Sequence, residues 1–254
     1  MATEKSTTRV ELTKEGLVGT IRFRSETGVN IFSSRVIREL GELIEKLRED
    51  ANLRFVVFRG DGKVFLAGAD IAEMAGFREE EGRAFATTGH NVFNALAALP
   101  QISFAAINGH ALGGGCELAL ACDFRIMVAG AKIGLPETTL GLIPGWGGTQ
   151  RLPQIVGPAR ARRLIFSGQP VTAEEALQIG LVDEVVPTVD ALDAALSKWF
   201  KYLEPGSPHA IERAKRALLH RDEISEFARC FTSPEAKEGI TAFLEKRKAA
   251  WVRS

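Results

Sequence analysis

Glycine and carboxylate meet twice in this chain. The run Asn108-Gly109-His110-Ala111-Leu112-Gly113-Gly114-Gly115-Cys116-Glu117 sets three consecutive glycines ahead of an acid, at the start of an apolar, helix-spaced stretch. A glycine stretch entering a helix lets a ligand approach the backbone closely, and the unpaired N–H groups of the first turn point at whatever binds there. Glu117 adds a group that can move protons, so the combination reads as an anion-stabilising catalytic site. A plainer reading also accounts for the run: the glycines only let the helix pack tightly on a strand, and Glu117 is a favourable first-turn charge. The second segment tips the balance. Gly134-Leu135-Pro136-Glu137 places another carboxylate after a proline, ahead of the glycine-rich Leu142-Ile143-Pro144-Gly145-Trp146-Gly147-Gly148. Taken alone, Glu137 could simply cap the segment after Pro136.

Several elements must position these loops. Leu17 to Phe23 alternates like a strand, and Ser34 to Glu49 carries Ile37, Leu40, Leu43, Ile44 and Leu47 at helical spacing before the apolar run Phe55-Val56-Val57-Phe58. A glycine turn, the short run Val64-Phe65-Leu66 and the loop Ala67-Gly68-Ala69-Asp70 follow. A helix is expected over about Glu79 to Leu99 and a buried strand over Ile102 to Ile107, so the triple-glycine loop follows a strand. A helix over Cys116 to Ala121 leads to a strand over Phe124 to Val128. Ala159 to Phe166 and Ala173 to Gly180 read as helices, the second capped by Thr172 with Glu175 three residues on, and Leu181 to Val186 reads as a closing strand. Strands alternating with helices argue for parallel α/β packing, where sites form at strand ends. Beyond Pro187 the pattern turns helical, so residues 1–187 are expected to form the core and 188–254 a helical appendage.

Composition narrows the function. The 254 residues carry 32 basic and 32 acidic side chains with no long block of one sign, so neither a nucleic-acid footprint nor a polybasic membrane anchor is expected. Three cysteines without CxxC pairing suit a reducing compartment. Four scattered histidines lack HxxxH or HExxH spacing, so no metal site is expected. The first sixteen residues lack a signal or transit pattern, and no apolar stretch is long enough to span a membrane, giving an expected cytoplasmic setting. No G-x-G-x-x-G or GK[ST] spacing supports a dinucleotide or P-loop site in the glycine loop.

Four segments together carry a resemblance. Val64-Phe65-Leu66-Ala67-Gly68-Ala69-Asp70-Ile71, Ala105-Ala106-Ile107-Asn108-Gly109, Leu112 to Leu118 and Gly145-Trp146-Gly147-Gly148-Thr149-Gln150-Arg151-Leu152 resemble the crotonase, or enoyl-CoA hydratase/isomerase, superfamily. The resemblance runs from about Val18 to the C-terminus and includes Lys237-Glu238-Gly239 and Phe243 to Lys248. It implies an α/β spiral of repeated strand-strand-helix units, then C-terminal helices that build a homotrimer or a hexamer of paired trimers. It also implies acyl-CoA thioester substrates and no cofactor, since coenzyme A is part of the substrate.

Within the resemblance, the N–H groups of Ala69 and Gly114 form an oxyanion hole, and Glu117 and Glu137 match the catalytic glutamates of the hydratases. Glu117 is then the principal water base and Glu137 the acid that protonates the α-carbon. Ala67, Gly68, Asp70, Gly145, Trp146 and Lys246 complete the expected substrate-binding set, with Lys248 a second candidate for coenzyme A. Asp70 has a second and preferred reading as the cap of a helix beginning at Ile71. Trp146 has two readings as well: a bulky limit on acyl size, or a buried core residue. One departure touches the coenzyme A corner: of the family's Asn-Arg-Pro…Asn-Ala-Leu stretch, Phe23 to Phe32 keeps only Asn30 clearly. The expected activity is reversible addition of water to a 2-enoyl-CoA. The alternatives are another crotonase-type reaction, isomerisation or thioester hydrolysis, and a non-catalytic scaffold or RNA-binding protein on the same fold.

Overall fold

Strand β1 (Arg9–Glu15) turns through Gly16, whose φ of +55° suits a tight hairpin, into β2 (Val18–Arg24). These coordinates are a computed structural model describing residues 7–252. Helix α1 (Ser34–Arg48) starts where the Ser33 side chain accepts from Val36 N–H, and it buries Val36, Ile37, Leu40, Ile44 and Leu47 along one face.

The chain then repeats a strand, a second strand and helical structure. The first repeat is β3 (Phe55–Gly60), β4 (Val64–Leu66), α2 (Ile71–Met74) and α3 (Glu79–Ala97). The second is β5 (Ile102–Ile107), β6 (His110–Leu112) and α4 (Gly114–Ala121). The third is β7 (Phe124–Val128), β8 (Lys132–Gly134), a 3-10 turn at Glu137–Leu140, α5 (Gly148–Val156) and α6 (Pro158–Ser167). Short β9 (Val171–Thr172), α7 (Ala173–Gln178) and β10 (Glu184–Val186) close the spiral.

Each repeat gives one strand to each of two sheets, ordered β1-β2-β3-β5-β7-β10 and β4-β6-β8-β9. Pairing is parallel except at β1–β2 and β8–β9. Strand β5 is buried along its whole length, which is why Ile102 to Ile107 reads as a continuous apolar run rather than an alternation. The spiral expected from the sequence is the observed architecture.

Four helices follow: α8 (Ala191–Leu203), α9 (Pro208–His220), α10 (Glu223–Cys230) and α11 (Pro234–Leu244). Helix α8 lies on the core, with Leu192, Ala195 and Leu196 buried and Phe200 stacked on Phe55 at 4.5 Å. The core therefore extends past Pro187 to the Pro205 turn. From α9 onward the helices bury little: α10 buries only Glu226 and α11 only Ala242.

Candidate active site

Two backbone loops meet where the second sheet ends. The Ala67–Asp70 loop is clamped to residues 30–32: Ala67 N–H donates to Asn30 O, Phe32 N–H to Gly68 O, and Asp70 N–H to Phe32 O. In this parallel bridge Phe32 bonds the residues on either side of Ala69, so the Ala69 N–H is turned away from it. The Asn30 side chain, fully buried, braces the turn below by donating to the carbonyls of Asp61, Val64 and Phe65. The opposing loop is held by Gly113 N–H on Gly134 O, and Gly113 adopts a φ of +53° as it enters α4. Gly114 opens that helix, so its N–H has no partner within the helix. Among the described residues neither Ala69 N–H nor Gly114 N–H donates to a protein acceptor. The loops touch: a side-chain carbon on Gly68 would stand 3.7 Å from the Gly114 nitrogen. Packing matters here as well, because a carbon on Gly115 would meet Leu66 O at 2.3 Å.

Both carboxylates reach the same place. Glu117, 2% exposed, lies in the first turn of α4, and its Oε1 accepts from Trp146 N–H at 2.7 Å and Gly148 N–H at 2.8 Å. Its Oε2 takes no hydrogen bond among the described residues. Burial pushes the Glu117 carboxyl up to about 7 and the Glu137 charge adds to this, while the two N–H donors and Arg151 oppose it. Glu137 begins the 3-10 turn, with Oε1 3.2 Å from where a side chain on Gly113 would project. Its Oε2 is buried without a partner, and burial raises this carboxyl too.

The space between them is a cavity of about 490 Å³ bounded by Ala67, Gly68, Ala69, Gly114 and the two glutamates at one end. Met74, Phe77, Phe85, Leu142, Ile143 and Trp146 make the rest of its wall largely apolar. A dry wall of this kind strengthens every electrostatic interaction inside it.

The expected site residues divide accordingly. Ala67, Gly68, Ala69, Gly114, Glu117, Glu137, Gly145 and Trp146 all line the cavity. Asp70 does not: its carboxylate caps α2 by accepting from Ala72 and Glu73 N–H, so the capping reading holds over the substrate contact. Lys246 is also outside, exposed just beyond α11 with a φ of +57°. Trp146 is a buried core residue that also borders the cavity. It is 3% exposed and wedged edge-on against Phe32 and Phe93, and it is among the residues that line the cavity.

Two further residues position the site. Arg151 donates to Trp146 O at 2.9 Å and to Asn94 Oδ1 at 2.6 Å, which fixes the peptide that serves Glu117. Gly147, with φ of +112°, leaves the room the Arg151 guanidinium occupies. Trp146 precedes the cap of α5 and Arg151 lies five residues on inside that helix, which is no helical-neighbour spacing, so the sequence held no local signal for this bond. No group of three or more His, Cys, Asp or Glu among the described residues could hold a metal ion, and no described helix is long and apolar enough to cross a membrane.

The chain is similar to known proteins along most of its length. The model of the enoyl-CoA hydratase/isomerase family matches residues 13–254. The short-chain-enoyl-CoA hydratase of Clostridium acetobutylicum is 39% identical over 250 residues, covering 94% of this chain and 95% of its own. The crotonyl-CoA hydratase of Syntrophomonas wolfei is 38% identical, with 95% and 96% covered. The crystal structure of an enoyl-CoA hydratase from Bacillus anthracis superposes with a TM-score of 0.86 at 38% identity, covering 97% of this chain and 99% of that one. A spiral of this topology, two glycine loops facing one cavity and these relatives place the chain in the enoyl-CoA hydratase/isomerase family.

Proposed function

We propose that the protein is an enoyl-CoA hydratase that adds water reversibly across the 2,3 double bond of a 2-enoyl-CoA thioester. The thioester carbonyl accepts from Ala69 and Gly114 N–H, which stabilise the negative charge that develops on its oxygen by roughly 3 kcal/mol per donor. Glu117 takes a proton from water as the water oxygen bonds to C3 and the π electrons move to the carbonyl oxygen. The enolate then re-forms the carbonyl as C2 takes the proton held by Glu137. The cycle leaves Glu117 protonated and Glu137 charged, and exchange with solvent resets the pair.

The hydrogen bonds support this division. Two N–H donors on Glu117 Oε1 favour its charged form, whereas the unpartnered Glu137 Oε2 favours a protonated carboxyl. The pair shares protons, so a pH profile reports both together. Ala67, Gly68, Gly145 and Trp146 line the substrate cavity beside these groups. The reaction needs no cofactor beyond the coenzyme A of its substrate. The observation that carries the reading is the pair of carboxyls with raised titration, facing one apolar cavity beside two N–H groups without acceptors.

A chromatographic assay tests it. Crotonyl-CoA should give a 3-hydroxyacyl-CoA, and a 3-enoyl-CoA should not be turned over at a comparable rate. Free coenzyme A as the main product would indicate hydrolysis, a shifted double bond isomerisation, and no turnover a non-catalytic scaffold.

The protein is further proposed to be a homo-oligomer, a trimer or paired trimers. Leu218, Ile224, Phe227, Phe231, Phe243 and Leu244 are all more than half exposed on α9, α10 and the end of α11, more apolar surface than a lone chain leaves in water. The three free cysteines support a reducing, cytoplasmic setting.

A further inference from the structure

Arg151 lies outside the catalytic cavity and borders a separate hollow of about 220 Å³ at the C-terminal end of α4, with Cys122, Gln154 and Lys215. Its guanidinium reaches two ways: Nη1 donates to Trp146 O at 2.9 Å and Nη2 to Asn94 Oδ1 on α3 at 2.6 Å. Along the backbone, the carbonyl that Arg151 holds lies between two donors. The peptides on either side of it supply Trp146 N–H and Gly148 N–H, and both donate to Glu117 Oε1. The Trp146–Gly147 peptide between them is turned the other way, toward Arg151. Gly147, at a φ of +112°, supplies the left-handed backbone this turn needs, and a side chain there would overlap the guanidinium. Arg151 N–H closes the turn on Gly147 O at 2.8 Å. A pin between α3 and α5 needs only the Asn94 bond; the second bond ties Arg151 to the anchor of Glu117.

The charges around Glu117 point the same way. Glu137 opposes its ionisation and Arg151 favours it. Cys116, beside it on α4, is a neutral thiol because burial raises it. Of the elements packed on α4, β4 and β5 carry no titratable side chain, His110 on β6 is exposed, and Arg125 on β7 is paired with Asp183 at 3.3 Å. His90 on α3 borders the outer groove beside Gly145. A cation behind the turn thus favours the carboxylate directly and through the peptides it orients.

We propose that Arg151 is a positioning residue for the hydration step: tied to Asn94, it holds the Trp146–Gly147 peptide so that Trp146 and Gly148 N–H converge on Glu117 Oε1 and leave Oε2 for the water. It acts through Glu117 and touches neither substrate nor water. This rests on the hydratase reading of the site.

The test uses Arg151→Gln, Arg151→Lys and Asn94→Ala, with thermal midpoints to establish folding. Two readouts are compared: the pH profile of kcat and KM on crotonyl-CoA, and, without turnover, the titration of Glu117 by carbon-13 NMR, its signal assigned by its loss in Glu117→Gln. Arg151→Gln is expected to lower kcat by about 10- to 100-fold with KM within about threefold, and to raise the acidic limb and the NMR midpoint by about one pH unit. Arg151→Lys keeps the cation without the two-armed reach, so it should restore the midpoint to within about half a unit but only part of kcat. Asn94→Ala frees one arm and should lower kcat by about three- to tenfold. A folded Arg151→Gln with kcat within about threefold of the parent's, or with an unmoved midpoint, would overturn the proposal and leave Arg151 a packing residue. If that variant does not fold, parent-like kcat in both Arg151→Lys and Asn94→Ala would overturn it. A parent that leaves crotonyl-CoA unchanged would overturn the hydratase reading, and the NMR midpoint of Arg151→Gln would then decide by itself whether Arg151 controls Glu117.

Discussion

Replacing Glu117 by glutamine separates the chemistry of this carboxyl from its place in the fold. A glutamine oxygen can still accept from Trp146 and Gly148 N–H, so the α5 entry keeps its anchor. What disappears is a titrating group. The folded protein holds the Glu117 proton up to about pH 7, whereas the unfolded chain releases it near 4.5. Between those values the native state binds more protons than the unfolded one, so the parent loses stability as pH rises through that window and the loss levels off above it. At about 1.4 kcal/mol per pH unit, the loss is about 3 kcal/mol. Glu117→Gln escapes it. Urea unfolding at matched protein concentration should show the variant gaining about 3 kcal/mol on the parent between pH 4.5 and pH 8. Over the same comparison, hydratase turnover should fall by about 10²- to 10⁴-fold, the range for removing a general base. A stability difference that does not change with pH would mean that Glu117 is not held neutral by burial. Turnover within tenfold of the parent would refute its role as base.

Glu137→Gln should leave thioester binding measurable while lowering turnover by about 10²- to 10⁴-fold; near-normal turnover would remove Glu137 from the proton path. Trp146→Ala should cost about 3 to 5 kcal/mol in denaturant unfolding, because the indole fills the space between Gly89, Gly114, Phe32 and Phe93, and a loss under 1 kcal/mol would contradict that packing. Gly114→Ala should lower the thermal midpoint, since its methyl would start 2.5 Å from the indole, at a cost of about 1 to 3 kcal/mol; an unchanged midpoint would show that the wedge gives way freely. Light scattering at micromolar concentration should give an oligomeric mass for the full chain, and a monomeric mass would count against the exposed face of α9 to α11 as a subunit contact.

Local rules that act within one element are legible in the sequence. The apolar spacing of Ile37, Leu40, Ile44 and Leu47 specifies α1, and Thr172 caps α7 through Glu175 N–H as its spacing suggests. The two glycine loops and both glutamates are legible because their residue types are themselves the chemistry. Strand β1 is not, since it is an edge strand with most of its residues exposed, and Arg9 to Glu15 reads as a polar segment. Helix α5 is hidden by the glycines at its start and Pro153 within it. Helix α8 follows Pro187 like the helices after it; what makes it part of the core are long-range contacts, the burial of Leu192, Ala195 and Leu196 and the stacking of Phe200 on Phe55, residues far apart in the chain. Trp146 shows the same limit within the site. Its fit depends on Gly89, more than fifty positions away, and no local pattern connects the two.

The central claim, hydration by this pair of glutamates beside two backbone donors, is tested most directly by running the reaction on crotonyl-CoA in water labelled with heavy oxygen and locating the label by mass spectrometry. The account predicts one labelled oxygen, as a hydroxyl on C3 of an intact acyl-CoA, with the signal absent in Glu117→Gln on the same timescale. Label in a free carboxylate, or an unlabelled acyl-CoA with a moved double bond, would contradict it.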